Sequence, residues 1–466
     1  MDSDQVSKEE IYSNKTTVAY SCAFFADIII SQFFGFLIFT FYFTIVRLNV
    51  IWITIGFIFW SLWNAVNDPL LGAISDRTSS KWGRRRPFII AGIGPTCLIL
   101  ILLWIPPMDQ PPIINFIYFI IMIFLFDLFY TMFSLNQTAL FPEMFQDLEQ
   151  RAKANNIMQV IGVIALIFAF VVPGLFIPKF DEQQYAINYF YTGVFMSIIA
   201  GFSVFIFIKW GLKERAEFSK DAKSAPSFFN SLKISMTNKS FRIFAVANFT
   251  IFYVFGMLTI ITPLYGIYVL KIESGLILSI LLGLTFISAA GFMVIWKAIA
   301  VKFGAKNGHI LAMFTLLITL IPLLFINDIT GAIITYIFVG MGLAGVLFFR
   351  FVTLPVIIDE DELETGLRRE GGYYGINALI IRLTTIAIYI TISIVFSNVG
   401  WAIFEPKAGA DTILGLRYLI AVFPAILLFI GIIFMTRFPI TQERYEQIKK
   451  ELGKLHQEKK NKIRVI

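Results

Sequence analysis

Residues 64–88, NAVNDPLLGAISDRTSSKWGRRRPF, join the end of a long apolar run to a strongly basic loop. Asp68 stands late in this run, Pro69 follows it directly, and five Lys or Arg residues come before position 87. A helix in the core of a water-soluble protein rarely carries a charge and a proline together. A membrane-spanning helix that faces a polar cavity and ends in a basic loop explains the order of these residues.

The composition of the 466 residues also indicates a membrane protein. Hydrophobic residues make up 58% of the chain and charged residues only 15%, whereas a soluble domain has about 25% charged residues. The net charge of +7 comes from Lys and Arg residues that flank apolar runs. Membrane topology explains this positive charge, so we expect no nucleic-acid partner.

Apolar runs of about 20 residues are long enough to cross a bilayer as helices. We therefore predict an all-α integral membrane protein that crosses the cell membrane many times. Twelve transmembrane helices are predicted, at residues 18–46, 50–75, 88–105, 113–141, 157–177, 185–208, 243–270, 275–300, 308–326, 329–358, 373–398 and 413–435.

The distribution of Lys and Arg predicts which side of the membrane each loop occupies, since cytoplasmic loops carry an excess of them. If the N-terminus is cytoplasmic, the segments on that side carry 30 of the 38 Lys and Arg residues. The opposite segments carry four, and the other four lie within helices or at their ends. Both termini are thus predicted to be cytoplasmic.

The longest cytoplasmic loop divides the predicted helices into six and six. We predict an N-terminal six-helix bundle (1–208), a cytoplasmic linker (209–240), a C-terminal six-helix bundle (241–435) and a basic cytoplasmic tail (436–466). Each half also has a short basic loop containing glycine after its second helix, GAISDRTSSKWGRRRPF and WKAIAVKFGAKNGHI. Such internal symmetry is typical of transporters. We expect a monomer, with membrane lipids as partners and the tail at an anionic lipid surface.

Three motifs carry a resemblance to a known family. They are NDPLLGAISDRTSSKWGRRRPF at 67–88, ALFPEMFQDLEQRAKANN at 139–156 and DEDELETGLRREGGYYGINALI at 359–380. The chain resembles the glycoside–pentoside–hexuronide:cation symporter family. Its first motif also resembles the loop signature of the major facilitator superfamily, in Gly72, Asp76, Arg77, Gly83, Arg84 and Arg85. The resemblance implies the major facilitator fold and secondary transport of a small sugar-like solute, driven by a cation gradient.

The resemblance implies a solute site made of polar residues inside the predicted helices. Asp27 matches an acid that binds sugar hydroxyls in the family, since a carboxylate accepts two such donors at once; a structural pair with an arginine is the alternative. Gln159 stands where the family often has an arginine, Asn377 matches a polar contact, and Arg382 replaces a common lysine. Because glutamine cannot hold a carboxylate through two bonds, a hexuronide is less favoured unless Arg382 binds it. Tyr130 can stack on a sugar ring.

The resemblance also implies a cation site, here with fewer charges than the family has. Asn64 and Asp68 are four residues apart and share a helix face, and the family usually has acids at both positions. Ser134 stands where the family motif has an aspartate. Asp127 is either a replacement acid or a polar residue paired inside the bundle. Since carboxylates set much of the affinity for hard cations, we prefer proton over sodium coupling, through Asp68 or Asp27. No cofactor is expected besides the coupling ion, H+ or Na+.

Charges in the predicted cytoplasmic loops have two alternative roles. They form salt bridges between the bundles that hold one state of a transporter, or they only keep the loops on the cytoplasmic side. The first loop supplies the candidate latch, Asp76, Arg77, Arg84 and Arg85, and the later motif supplies the acids of 359–364 with Arg368 and Arg369. Arg350, inside a predicted helix, has an acid on a facing helix as its expected partner.

These observations favour a secondary active transporter of a sugar or glycoside that works by alternating access. An uncoupled or exchange carrier of another small solute, such as a nucleoside or a lipid-like molecule, is the alternative. An enzyme is not expected, because the sequence contains no metal-ligand cluster, glycine-rich phosphate loop or nucleophile motif.

Overall fold

The computed structural model describes residues 12–78, 80–145, 147–214, 235–366 and 369–464. Within these ranges the chain is helical and contains no strand. The helices are α1 Asn14–Thr40, α2 Val50–Arg77, α3 Arg86–Leu102, α4 Pro112–Met144, α5 Leu148–Phe176, α6 Ala186–Ile206, α7 Lys239–Tyr268, α8 Gly275–Leu320, α9 Ile329–Thr365, α10 Glu370–Asn398, α11 Ala410–Arg417, α12 Phe423–Thr436 and α13 Gln442–Arg464.

Ten helical stretches of the described ranges are long and apolar enough to cross a membrane, and α3 is a shorter apolar helix. One stretch, Ala410–Thr436, joins α11 to α12 through a π-helical turn at Tyr418–Val422. The prediction of an all-helical chain rich in apolar spans is therefore confirmed.

A single glycine interrupts the longest helix. The sequence predicted two separate spans, 275–300 and 308–326, where the structure has the 46-residue α8. Gly304 breaks the helical geometry inside it, with φ 71° and ψ −177°. Glycine adopts this positive φ without the steric penalty of a Cβ atom. The basic loop expected between the two spans is thus reduced to a break at one residue.

The chain divides into two compact units. The first contains residues 1–225 and 274–283, and the second contains residues 226–273 and 284–466. The start of α8 is therefore grouped with the first unit. Residues 215–234 of the predicted linker lie outside the described residues.

Polar side chains cap the N-termini of several helices, at the positions where sequence patterns place such caps. The Ser13, Asn49, Asp147, Asn238 and Asp328 side chains each accept a hydrogen bond from a backbone N–H of the first helical turn. Such a cap satisfies one of the N–H groups that have no partner within the helix. These caps define the starts of α1, α2, α5, α7 and α9.

Close packing in the first unit depends on a small residue at the contact of α3 with α4. A Cβ atom at Gly92 would lie 2.8 Å from both the carbonyl oxygen of Phe129 and the amide nitrogen of Phe133. These are backbone atoms of α4, which cannot rotate away as a side chain can. Without water to drive association inside a membrane, such close backbone contact is a main source of helix packing.

The tail helix α13 of the second unit packs against protein through one face. Ile448 and Leu452 are buried, and His456, four residues further on, pairs through Nε2 with the Glu362 carboxylate of α9 at 3.0 Å. The sequence analysis expected the tail at an anionic lipid surface and did not predict this face packed against protein. The exposed face still carries cations, at Lys449, Lys450 and Lys454.

We expect Gly92→Ala to destabilise the protein, because the added methyl overpacks α3 against the α4 backbone. Overpacking of this kind costs about 1–3 kcal/mol, and the temperature of unfolding in detergent measures it.

Gly94→Ala is the matched control, since a Cβ atom there meets nothing within 4 Å. It should leave stability unchanged or raise it by up to about 1 kcal/mol through helix propensity. Equal unfolding temperatures for the two variants would contradict the packing argument.

Candidate functional site

An acid on α1 meets two hydroxyl groups on α4. Tyr130 donates its hydroxyl proton to Asp27 Oδ1 at 2.8 Å, and the Ser134 side chain also hydrogen-bonds the Asp27 carboxylate. Tyr130 and Ser134 are four residues apart and so share one face of α4. All three residues are half-buried. Ser134, predicted from its position to belong to a cation site, thus lies beside the candidate solute residues Asp27 and Tyr130.

Aromatic rings from three helices support Tyr130. Its ring stacks on Phe126 with centroids 5.6 Å apart and an interplanar angle of 3°. Phe126 stacks in turn on Phe34 of α1 at 4.4 Å, and Phe34 contacts Trp60 of α2 at 6.0 Å. Such offset stacks are favourable beyond simple burial. The rings fix the position of Tyr130 and with it the direction of its hydroxyl group.

The buried carboxylate of Asp127 on α4 is held by two amides of α2. The Asn64 side chain donates a hydrogen bond to Asp127 Oδ1, and Asn67 Nδ2 donates to Oδ2 at 3.1 Å. The side-chain oxygens of Asn64 and Asn67 have no hydrogen-bond partner among the described residues. The Asp127 carboxylate therefore joins α4 to α2, and its role as a replacement acid stays a prediction. Asn67 was not predicted, although its spacing of three from Asn64 puts both on one face.

One turn further along the same two helices, a second contact joins α2 to α4. Thr131 Oγ1 donates to Asp68 Oδ1 at 3.1 Å. Asp68 follows Asn64 by four residues and Thr131 follows Asp127 by four, so the two contacts repeat with the helical turn. Asp68 is half-buried, whereas Asp127 is fully buried. Asp127 is therefore more shielded from solvent than Asp68, although their two contacts between α2 and α4 are only one helical turn apart.

The remaining candidate solute residues lie elsewhere. Gln159 is exposed on α5, where its Nε2 donates to Asn155 Oδ1 at 3.4 Å, one turn back on the same helix. Asn377 on α10 belongs to the second unit and accepts a bond from Asn248 Nδ2 of α7 at 2.6 Å, with both residues buried. Arg382 is half-buried on α10. The contact with Asn248 was not predicted, because a lone asparagine in an apolar helix has no sequence pattern that names its partner.

Arg350 of α9 stacks on aromatic rings. Its guanidinium carbon lies 4.9 Å from the ring centroid of Phe252 on α7 and 4.4 Å from that of Phe351. A guanidinium over an aromatic face gains cation–π stabilisation, which is stronger away from water. Within the described residues, these rings take the place of the acid on a facing helix that the sequence analysis expected.

The basic loop between α2 and α3 is held by an acid that the sequence analysis did not single out. Arg84 Nη2 and Arg85 Nη2 each lie 2.6 Å from Glu143 Oε1 near the end of α4, and Arg85 also lies 3.4 Å from Asp76. Arg77 is exposed. Three of the four candidate latch residues thus form one network within the first unit. The only sign of Glu143 in the sequence was its place directly after Pro142 in the 139–156 motif.

A second carboxylate caps the start of α3. Glu214, which follows α6, accepts hydrogen bonds from the backbone N–H groups of Arg84, Arg85 and Arg86 at 2.6, 3.0 and 2.5 Å. Gly83 precedes them with φ 103°, which suits glycine. A helix N-terminus attracts negative charge through its free N–H groups and its dipole. Glu214 therefore attaches the chain after α6 to the basic loop.

The acidic motif in the second unit also pairs within its own unit. The Asp361 carboxylate accepts hydrogen bonds from the Arg369 guanidinium, with Nε at 2.9 Å, and this hydrogen bond raises the pKa of Arg369. Glu360 accepts from the Ser240 hydroxyl at 2.6 Å. Arg368, the other predicted cation of this motif, lies outside the described residues.

Comparison with known sequences identifies transporters. A sequence model of the family described as MFS/sugar transport protein matches residues 19–442. An uncharacterized symporter of Synechocystis sp. is 22% identical, over 84% of this chain and 88% of the relative. The sodium-dependent lysophosphatidylcholine symporter 1 of Gallus gallus is 20% identical, over 85% and 81%. A lactose permease of Lactobacillus delbrueckii subsp. bulgaricus is 24% identical, over 84% and 65%.

Solved structures of similar fold are also transporters. A D-xylose-proton symporter superposes with a TM-score of 0.66 at 11% identity, over 92% of this chain and 98% of the other. A nucleoside transporter superposes with a TM-score of 0.65 at 13% identity, over 92% and 100%. The chain therefore has the major facilitator fold and is a multi-pass membrane protein. The resemblance inferred from the three motifs is confirmed.

We expect Asp127→Leu to lower the unfolding temperature in detergent. The change removes the carboxylate acceptor of both amides, at a cost of about 1–3 kcal/mol for a buried donor left unpaired; Asn67 Nδ2 keeps only its 3.4 Å contact with the backbone carbonyl oxygen of residue 127.

The triple variant Asn64→Leu/Asn67→Leu/Asp127→Leu tests the cause, since removing donors and acceptor together avoids the unpaired groups. The triple variant should therefore unfold at a higher temperature than Asp127→Leu. An Asp127→Leu protein as stable as the unmodified chain would show that the amide contacts do not hold α2 to α4.

Proposed function

Because the chain belongs to the MFS/sugar transport protein family, we propose that it is a secondary active transporter of a sugar or glycoside in the cell membrane. The observation that carries this proposal is the half-buried group of Asp27, Tyr130 and Ser134 on α1 and α4. A carboxylate beside two hydroxyls can accept from and donate to the hydroxyl groups of a sugar. The aromatic stack behind Tyr130 keeps this group in one geometry, which lowers the cost of binding.

The proposed architecture has twelve transmembrane helices in two six-helix bundles, residues 1–208 and 241–435, that alternate access to a site near the midplane. Its support comes from the ten apolar stretches, the shorter apolar α3 and the break at Gly304, which would divide α8 into two crossings. The excess of Lys and Arg in alternate loops supports cytoplasmic termini. The loop charges pair within their own units, so a latch between the bundles would require them to exchange partners during the transport cycle; keeping the loops on the cytoplasmic side is their alternative role.

Proton coupling through Asp68 or Asp27 is the preferred mechanism. The Asp127 carboxylate accepts hydrogen bonds from two amides and so joins α2 to α4, which leaves it less suited to gain a proton. Asp68 and Asp27 are half-buried acids whose contacts described above are hydroxyl groups, which can rotate when a carboxylate gains or loses a proton. A neutral acid would lower the cost of moving the site through a closed state, because a charge away from water is expensive.

Sodium coupling is the second candidate, and one specific observation favours it. The unpaired side-chain oxygens of Asn64 and Asn67 lie next to the Asp127 carboxylate. Amide and carboxylate oxygens are the ligands that hard cations select. Uptake into sealed proteoliposomes, with a panel of labelled sugars and with proton and sodium gradients imposed separately, distinguishes the two. Accumulation that follows the sodium gradient and ignores the proton gradient would refute proton coupling.

An uncoupled or exchange carrier of a lipid-like solute or a nucleoside is the alternative outside sugar transport. The relative named as a sodium-dependent lysophosphatidylcholine symporter supports the lipid-like solute, although its name is that of a coupled carrier. The same uptake panel separates the classes when it includes a nucleoside and a lysophospholipid.

We expect Asp27→Asn to reduce sugar uptake by more than about tenfold, because a charged hydrogen bond to a solute hydroxyl is worth about 1.5–3 kcal/mol. Tyr130→Phe should reduce it several-fold, since the hydroxyl that orients the carboxylate is lost.

Tyr191→Phe is the matched control, because Tyr191 is exposed on α6 away from this group. Uptake per folded molecule is measured for all three proteins. Sugar uptake by Asp27→Asn equal to that of the unmodified chain would contradict the proposed solute site.

We expect Asp68→Asn to abolish accumulation of the sugar against its gradient while counterflow exchange of the same sugar continues, since an amide cannot carry a proton. Asp109→Asn, at an exposed loop position, should leave both activities unchanged. Concentrative uptake that survives in Asp68→Asn would assign coupling to another group.

A further inference from the structure

A groove of about 750 Å³ opens on the surface of the second unit, well away in the chain from the Asp27 group. Its walls come from α7, α10 and α12. Most of the lining is apolar, with Ile243, Phe249, Ile380, Leu383 and Phe434 among the side chains. Leu383 and Phe434 are large hydrophobic residues that remain exposed. Exposed apolar side chains on membrane helices suit contact with lipid, and a concave apolar surface suits an extended apolar molecule.

Three cations stand at one end of the groove. Lys239 and Arg242 belong to the first turns of α7, and Arg437 directly follows α12. All three are exposed, and in the described part of the chain none of them forms an ion pair. Their charge is therefore available to an external anion. The lining contains no carboxylate that would compete for it.

Spacing along the helices separates the charged end from the apolar end. Lys239, Arg242, Val246 and Phe249 follow one another at three or four residues, so they lie on one face of α7 in that order. The rise of about 1.5 Å per residue puts the Phe249 Cα about 15 Å from that of Lys239. Ile380 and Leu383 extend the apolar part on α10. A ligand for this groove has an anionic group at one end and a hydrocarbon chain of comparable length behind it.

We propose that this groove binds an anionic phospholipid. The phosphate lies among Lys239, Arg242 and Arg437, and an acyl chain lies along the apolar residues of α7 and α10. Basic clusters at the ends of membrane helices attract anionic head groups, and arginine binds phosphate oxygens through two parallel bonds. The lipid is a bound partner of the second unit. The inference stands on the groove itself and is independent of the solute that the Asp27 group binds.

Native mass spectrometry of the full chain tests the proposal, with phosphatidylglycerol and phosphatidylcholine of identical acyl chains as probes. We expect the protein to retain phosphatidylglycerol in preference. In Lys239→Gln/Arg242→Gln/Arg437→Gln, binding of phosphatidylglycerol should weaken by at least about tenfold, because three cations near a head group are lost.

A variant with the same change of charge at exposed positions outside both the groove and the tail, Lys81→Gln/Lys213→Gln/Lys297→Gln, is the matched control and should bind the lipid as the unmodified chain does. Equal losses in both triple variants would show only general attraction to positive charge and would overturn the site. Equal retention of phosphatidylcholine would show an apolar surface without head-group recognition. Displacement of the lipid by millimolar inorganic phosphate would show an anion site without an acyl chain.

A second measurement locates the acyl chain in the folded protein. Tryptophan at Phe434→Trp should be quenched by phosphatidylglycerol with brominated acyl chains at a lower lipid fraction than by brominated phosphatidylcholine. Tryptophan at Phe429→Trp, an exposed position of α12 outside the groove, should show no such preference. Identical quenching at both positions would place no specific lipid in the groove.

Discussion

The contact of two amides with one buried carboxylate sets the register of α2 against α4. A carboxylate inside a membrane protein has no water to bind, so protein groups must supply its hydrogen bonds. Asn64 and Asn67 supply them to Asp127. Sliding α4 by one turn would break this contact and the contact of Thr131 with Asp68 together. Since Tyr130 directly precedes Thr131, the same register also directs its hydroxyl toward Asp27.

Much of the fold could be predicted from the sequence, because membrane helices are recognisable by their length and hydrophobicity. Spans such as 329–358 and 373–398 correspond to α9 and α10, although the structural helices continue further into polar sequence. The break in α8 was expected to be a loop. A run of Lys, Gly and Asn suggested a turn, yet one glycine with positive φ suffices and the helical bonding resumes on both sides. Composition cannot distinguish these outcomes, because the same residues occur in short loops and in kinks.

The candidate site could be predicted less completely. Asp27 and Tyr130 were each expected to contact solute, but their mutual hydrogen bond depends on how α1 faces α4. The partners Asn67, Glu143 and Glu214 were not predicted, because their roles depend on atoms more than 50 residues away in the chain. The pattern of charges also suggested acids for Arg350. The structure provides aromatic rings there, and a sequence with 51 phenylalanines offers too many rings for any one to be singled out.

The carboxylate of Glu214 has a mechanical consequence. It is held by three N–H groups at the first turn of α3, and it stands immediately before the stretch 215–234. A force on the chain at Glu214 would load these hydrogen bonds, and through them the beginning of α3 and the arginines that bind Glu143. Glu214 thus attaches the chain that follows α6 to the start of α3 in the first unit. A displacement of Glu214 would therefore reach the first turn of a membrane helix.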